Sequence, residues 1–244
     1  MGAKTAEVFA SEGAKLVIAA RREGKLREIA EPIRASGGEV TVVPTDISIA
    51  AQADALVAKA VEAYGRIDVL LNIAGQMEPG LHPIDDFDDE ELNRTIQANL
   101  VGTMYITRAA TRQMALQGYG NIVTIASVCA INGSGSAVYT ATKGALVSLT
   151  KHIALRYADR KPTIRANCLC PGTVWTGMVK KELAAQKTYS PKAKEFDSAM
   201  GKHTCSDVGI SKAAEIAKIL LFLASDESAC LNGQVIVADY GANL

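Results

Sequence analysis

The sequence is short of the features that mark a membrane, secreted or nucleic-acid-binding protein. No apolar run reaches the ~18 residues needed to cross a bilayer, and no basic segment leads into an apolar one at the start, so neither a span nor a signal peptide is read. There is no excess of either charge: Lys plus Arg number 26 and Asp plus Glu number 26. That balance gives no electrostatic footprint for nucleic acid or an anionic membrane surface. Histidine is scarce, and His82, His152 and His203 lack metal-ligand spacing. The cysteines are an odd set of five, Cys129, Cys168, Cys170, Cys205 and Cys230, which does not read as a disulfide framework. Cys168 and Cys170 stand two apart in an apolar run and so share one strand face. Buried free thiols in a reducing cytoplasm are the expectation, with no metal site.

What the chain does have is apolar content, 48% of 244 residues, enough for a sizeable core. Short runs rich in Val, Ile and Leu lie at 15–20, 39–43, 67–71, 121–126, 163–169 and 234–238. They do not alternate with polar residues, which predicts strands buried on both faces of a parallel sheet. Helical patterns separate them at 2–12, 23–36, 49–64, 88–117, 136–158 and 211–224. This alternation predicts an α/β fold, a doubly wound parallel sheet flanked by helices. No linker, repeat or low-complexity tract interrupts it, so residues 1–244 read as a single domain. Only 176–208 breaks the rhythm, with a polar, lysine-containing insert after a strand end. Ligands bind at strand ends in such sheets, so this insert reads as a substrate lid. Trp175 just before it and Met178, Tyr189 and Met200 within it offer an apolar wall, while its lysines offer a site for an acidic group; His203 is within reach of a substrate there. The acidic stretch from Asp85 to Glu91 reads as a helix start rather than a metal cluster.

Four further features fall at strand ends or on helices. Ala126-Ser127 ends one strand, and twelve residues on comes Tyr139-Thr-Ala-Thr-Lys143, whose Tyr and Lys share a helix face. Asn99 sits in a long helix, Asn72-Ile-Ala-Gly75 ends another strand, and Pro171-Gly-Thr-Val-Trp-Thr176 ends a third. In this order the set closely resembles the short-chain dehydrogenase/reductase family, over Gly2 to about Gly241. The resemblance implies a Rossmann-like fold and hydride transfer between a nicotinamide cofactor and a ketone or secondary alcohol. It makes Tyr139 the general acid or base, Ser127 the holder of the substrate oxygen, and Lys143 the residue that binds ribose and lowers the tyrosine pKa. Asn99 then supports a water leading from Lys143 to solvent. A free tyrosine titrates near ~10, so a neighbouring ammonium and a cationic nicotinamide would both help it act at neutral pH.

The same resemblance places Asp46 and Ile47 at the adenine, though Asp46 also reads as a helix cap. It places Asn72, Ala74 and Gly75 in a turn against the cofactor, and Pro171, Gly172, Val174 and Thr176 near the nicotinamide. Where an NAD site carries an acid at the strand end, this chain has Arg21 and Arg22, which suit a 2′-phosphate. NADP(H) is therefore expected over NAD(H). A homotetramer built through the helices of Asn99 and Tyr139 is implied by the family alone.

The family's phosphate turn reads T-G-x-x-x-G-x-G, and Met1-Gly2 matches only its last two positions, with Gly2 as the final glycine. The expectation is that the first strand and two glycines are missing, leaving six strands. Such a strand would lie mid-sheet, where each large apolar side chain contributes ~1.5–3 kcal/mol of a net stability of ~5–15 kcal/mol. The alternative expectation is a truncated, non-catalytic scaffold or regulatory subunit.

Overall fold

The apolar runs become parallel strands because helices cover both of their faces. The computed structural model describes residues 1–159, 163–205 and 208–242. Its elements run α1 (Gly2–Ser11), β1 (Leu16–Ala20), α2 (Glu23–Ala35), β2 (Val40–Pro44), α3 (Ala50–Tyr64), β3 (Val69–Asn72), α4 (Asp89–Ile96), α5 (Gly102–Gln117) and β4 (Gly120–Ile125). They continue α6 (Cys129–Asn132), α7 (Ala137–Arg156), β5 (Ile164–Pro171), α8 (Gly177–Ala185), α9 (Pro191–Met200), α10 (Ala213–Ala224) and β6 (Val235–Ala238). All strand pairs are parallel.

The two central strands, β4 and β5, are buried at every position. Successive side chains alternate between the layers, as the pleat requires. Ile122 packs with Met114 of α5 and Ile153 of α7, while Val123 and Ile125 pack with Ile216, Leu220 and Leu223 of α10. Phe9 of α1 joins the α10 side, and α2 closes the same layer over β1 and β2. Helix α5 stops where Gly118 takes φ 74°, a left-handed turn that a residue with a Cβ adopts only with strain.

A single sheet was expected; the strands form two. β1 and β2 pair with each other, and β3, β4, β5 and β6 form a separate sheet in that order. Side chains nevertheless bridge the division on both faces. Leu16 of β1 shares a cluster with Val69 and Leu71 of β3, and Val17 shares another with Leu70, Ala53 and Ile106. No described strand lies between β1 and β3 to carry a hydrogen-bonded ladder across. On the β2 side of β1, the Tyr64 hydroxyl donates to the Leu16 carbonyl (3.3 Å) and meets Thr41 Oγ1 (3.2 Å), tying α3 to the two-stranded sheet.

The helix expected over 88–117 is present, with a local change that matters. Asp88 caps it, its carboxylate accepting from the backbone N–H groups of Glu90 (2.8 Å) and Glu91 (3.0 Å). Between α4 and α5 the helix widens into a π turn over Gln97–Val101, which contains Asn99. The insert 176–208 holds α8 and α9, and its residues 206 and 207 lie outside the described residues. It is tied to the loop after β3: Ser190 Oγ donates to Asp86 (2.7 Å), Lys192 Nζ binds Asp85 (2.9 Å), and Glu182 accepts the Gly80 N–H (3.3 Å). Among the described residues no helix is long and apolar enough to cross a membrane.

Leu220 is fully buried where α10 meets the four-stranded sheet. Leu220→Ala should lower unfolding free energy by about 2–5 kcal/mol in urea denaturation without changing the fold seen by circular dichroism. A loss below about 1 kcal/mol would contradict this packing.

Candidate functional site

The C-terminal end of β4 delivers Ser127 to the first turn of α7. Ser127 is buried; its Oγ accepts the Cys129 backbone N–H at 3.2 Å, and its hydroxyl lies close enough to the Tyr139 phenol to favour the phenolate. Tyr139 and Lys143 lie one helical turn apart on the buried face of α7. The Lys143 ammonium sits 5.7 Å from the Tyr139 ring centroid and donates to the Ile125 carbonyl at 2.9 Å. Strand β4 thus supplies both the serine and the anchor for the lysine.

Asn99 is fully buried and braces this arrangement from the π turn. Its Oδ1 accepts the Gln76 N–H (2.7 Å), and its Nδ2 donates to the Gln76 carbonyl (2.8 Å) and Thr142 Oγ1 (3.2 Å). The loop after β3 is thereby stapled to α7. Its own carbonyl accepts the Thr103 hydroxyl at 2.7 Å. Gly75 leaves room in that loop: a Cβ there would lie 3.2 Å from Lys143 Nζ and 3.3 Å from Asn99 Oδ1, so both side chains would have to shift slightly. Thr142 and the Ile125 carbonyl carried no signal in the sequence, since their roles exist only once α7 packs on β4.

The electrostatics differ from the expectation for the isolated pair. Burial lowers the Lys143 pKa to about 8. Burial also pushes the Tyr139 phenol well above its ordinary value, and the Ser127 hydroxyl only partly opposes it. Lysine was expected to lower the tyrosine pKa; in the protein alone, desolvation of the phenolate outweighs it. Behind the pair, Cys168 and Cys170 are fully buried free thiols on one face of β5, as expected. Their hydrogen bond and burial raise the Cys168 pKa. Cys129 is only half buried, and Cys205 and Cys230 are exposed, so burial does not extend to the set.

The residues expected at a cofactor divide into two groups. Gly2 opens α1 close to Ile73, beside the exposed turn of Ala74 and Gly75, and no side chain caps that helix start. Arg21 and Arg22 are exposed at the end of β1; the Arg22 carbonyl accepts the Leu26 N–H (3.2 Å), and the Arg21 guanidinium is near enough to Asp46 to help lower its pKa. Thr176 stands before α8 without a capping bond, and Val174 bridges to Ser211. Pro171 ends β5, and Gly172 lets the chain pass where a Cβ would lie 2.7 Å from that of Asp239. These residues fit a dinucleotide: an uncapped helix start and exposed guanidinium groups suit phosphate, and the exposed turn adjoins the buried Lys143.

The other residues are occupied within the protein. The Asn72 amide nitrogen donates to Thr107 (3.0 Å) and Thr124 (3.2 Å), which turns the side chain inward. Asp46 accepts from Ser48 N (3.0 Å) and Ser48 Oγ (2.6 Å), bonds that lower its pKa; they close a turn ahead of α3 rather than cap it, because Ile49 holds the cap position and no side chain caps that helix, contrary to the expectation. Ile47 packs on Gly102, where a Cβ would come within 2.9 Å of it.

A cavity of about 200 Å³ adjoins α6, lined by Asn132, Gly133, Ser134, Phe196, Met200 and His203. A larger hollow of about 510 Å³ lies between α3 and α5 and contains none of the site residues. The expected apolar wall is only partly available. Tyr189 is buried with Leu81 and Ala193 and donates to Glu182, whereas Trp175 is exposed. Lys192 is engaged by Asp85. Among the described residues no His, Cys, Asp or Glu cluster could hold a metal ion.

The family model described as enoyl-(acyl carrier protein) reductase matches residues 1–243. An uncharacterized oxidoreductase of Thermotoga maritima is 34% identical over 243 residues, spanning 99% of this chain and 92% of its own. The crystal structure of levodione reductase superposes with a TM-score of 0.87 at 31% identity, covering 98% of this chain and 92% of that one. NAD+-bound xylitol dehydrogenase superposes with a TM-score of 0.88 at 26% identity, covering 98% and 94%.

Lys143 also sets a pH dependence of stability. Its folded pKa, about 8, lies below the unfolded value of 10.5. The folded state therefore carries the full cost of the buried ammonium below pH 8 and sheds it between pH 8 and 10.5. Lys143→Met should stabilise the protein by on the order of 1–3 kcal/mol at pH 7, with the lost bond to Ile125 offsetting part of the gain. Urea denaturation at pH 7 and near pH 10 checks this; a gain that does not shrink with rising pH would contradict it.

Proposed function

The chain belongs to the short-chain dehydrogenase/reductase family of oxidoreductases, and we propose that it moves a hydride between NADP(H) and a ketone/secondary alcohol pair, with Tyr139 as general acid and base. The observation that carries this reading is the buried contact of Ser127 and Tyr139 beside Lys143, at a strand end where the sheet opens toward the insert. When bound, the nicotinamide supplies the hydride in reduction and receives it in oxidation. Ser127 holds the substrate oxygen by a hydrogen bond. Tyr139 gives its phenolic proton to that oxygen in reduction and takes it back in oxidation. Burial keeps the phenol protonated at neutral pH, and because a general acid–base works best with a pKa near the operating pH, the positive charge of Lys143 and of an oxidised nicotinamide would have to bring it down. Lys143 places a positive charge beside the phenol and a donor for ribose, and Asn99 holds the loop and helix that carry them. We read 1–244 as one domain in which 176–208 is the substrate lid.

Gly2, Arg21, Arg22, Ala74, Gly75 and Thr176 would hold the cofactor, together with the backbone of Asn72 and of Pro171 to Val174. The two exposed arginines support NADP(H), while the NAD+ bound to xylitol dehydrogenase keeps NAD(H) in view. The adenine would meet the Asp46–Ile47 turn, whose carboxylate is already bonded to Ser48. The substrate is a small molecule, the oligomer a homotetramer and the location cytoplasmic on this reading.

A second reading, a non-catalytic scaffold or regulatory subunit, is favoured by one observation: the break between β1 and β3. A further parallel strand at that break would complete one sheet and the phosphate turn. Fluorescence titration with NADPH separates the readings, since binding supports the enzyme and its absence the scaffold.

Tyr139→Phe should lower kcat for NADPH-dependent ketone reduction by about 10²–10⁴-fold and leave NADPH affinity unchanged; unchanged turnover would sink the assigned role. Replacing Arg21 and Arg22 together by Ser should weaken NADPH binding about ten-fold or more while NADH binding changes little. Equal loss for both cofactors would contradict the 2′-phosphate assignment.

A further inference from the structure

Glu78 is 1% exposed, yet it carries a carboxylate and lies in the loop after β3. Its Oε1 accepts the backbone N–H of Tyr139 at 3.1 Å, and its Oε2 lies 3.5 Å from the Thr95 hydroxyl of α4. Tyr139 is the third residue of α7, and the N–H groups of a first helical turn have no partner within the helix. The residue placed to cap it locally, Ser136, makes no capping bond. Glu78, 61 residues earlier in the chain, supplies that acceptor from another element. A carboxylate at a helix start also complements the helix dipole.

We propose that Glu78 is a positioning residue that caps α7 in trans and fixes Tyr139 for proton transfer. The proposal rests on the catalytic reading of Tyr139 given above. Groups from every neighbouring element act on this carboxylate. The Tyr139 N–H of α7 and His82 of the adjoining loop favour its charge, while burial and Glu91 of α4 oppose it. Burial is the largest of these, so the Glu78 pKa is raised. Its charge in turn opposes ionisation of the Tyr139 phenol. One side chain thus orients the backbone of Tyr139 and helps keep its phenol protonated. Sequence reading passes over Glu78 because nothing local to Gln76-Met-Glu-Pro-Gly80 announces a partner in α7.

The test compares Glu78→Gln, which keeps an acceptor without the charge, with Glu78→Leu, which keeps neither. Amide exchange and pH-dependent amide shifts of Tyr139 are followed by ¹⁵N NMR on the full chain, with no substrate needed. In the unaltered protein the Tyr139 amide shift should follow Glu78 protonation, with its midpoint above the ordinary value of 4.5. In Glu78→Gln that titration should vanish with the amide still protected; in Glu78→Leu exchange should rise more than ten-fold. With ethyl acetoacetate and NADPH as the probe pair, Glu78→Leu should lose ten-fold or more in kcat with little change in the NADPH KM, and Glu78→Gln should restore most of it. A Tyr139 amide that exchanges and titrates alike in all three proteins would overturn the proposal, and so decides it even if Glu78→Leu does not fold, because Glu78→Gln alone reads the titration. Loss of the catalytic reading would show instead as turnover indifferent to Tyr139→Phe, with this coupling intact.

Discussion

The site depends on a lysine ammonium held almost out of water against one backbone carbonyl. Lys143 donates to the Ile125 carbonyl at the end of β4, and burial brings its pKa down to about 8. A buried cation is costly, and its position is tolerated only where the surroundings are fixed. The surroundings here are fixed from three sides. β4 ends at the anchor carbonyl, Gly75 leaves room for the ammonium, and Asn99 locks the neighbouring loop onto α7. The stability given up at Lys143 is thus linked to the position that sets its charge beside the Tyr139 ring.

Much of this was legible in the sequence, for a physical reason. Strands buried on both faces and amphipathic helices leave long-period patterns, and the expected strands at 121–126 and 163–169 became Gly120–Ile125 and Ile164–Pro171. Tyr139 and Lys143 were legible together because a helix brings residues four apart onto one face. The acidic stretch was read as capping, and Asp88 does cap α4.

What was not legible depends on contacts between distant segments. Glu78 meets Tyr139, Asn99 meets Gln76 and Thr142, and Asn72 turns inward to Thr107 and Thr124 only after the helices dock on the sheet. The sign of the tyrosine shift was missed for a related reason. A charge pair can be read from spacing, whereas burial of the phenol is a property of the packed interior, and here burial is the larger effect. The division of the strands into two sheets likewise reflects hydrogen bonding that no periodicity encodes; among the described residues β1 and β3 meet through side-chain packing and share no ladder.

The central claim is that this buried cluster serves hydride transfer to a carbonyl. Its most direct test is to incubate the protein with [4-²H]NADPH and a panel of keto esters, cyclic ketones and keto sugars, and to locate the label by mass spectrometry and NMR. The account predicts deuterium on the carbinol carbon of at least one product, delivered to one face. NADPH binding without label in any product would contradict it.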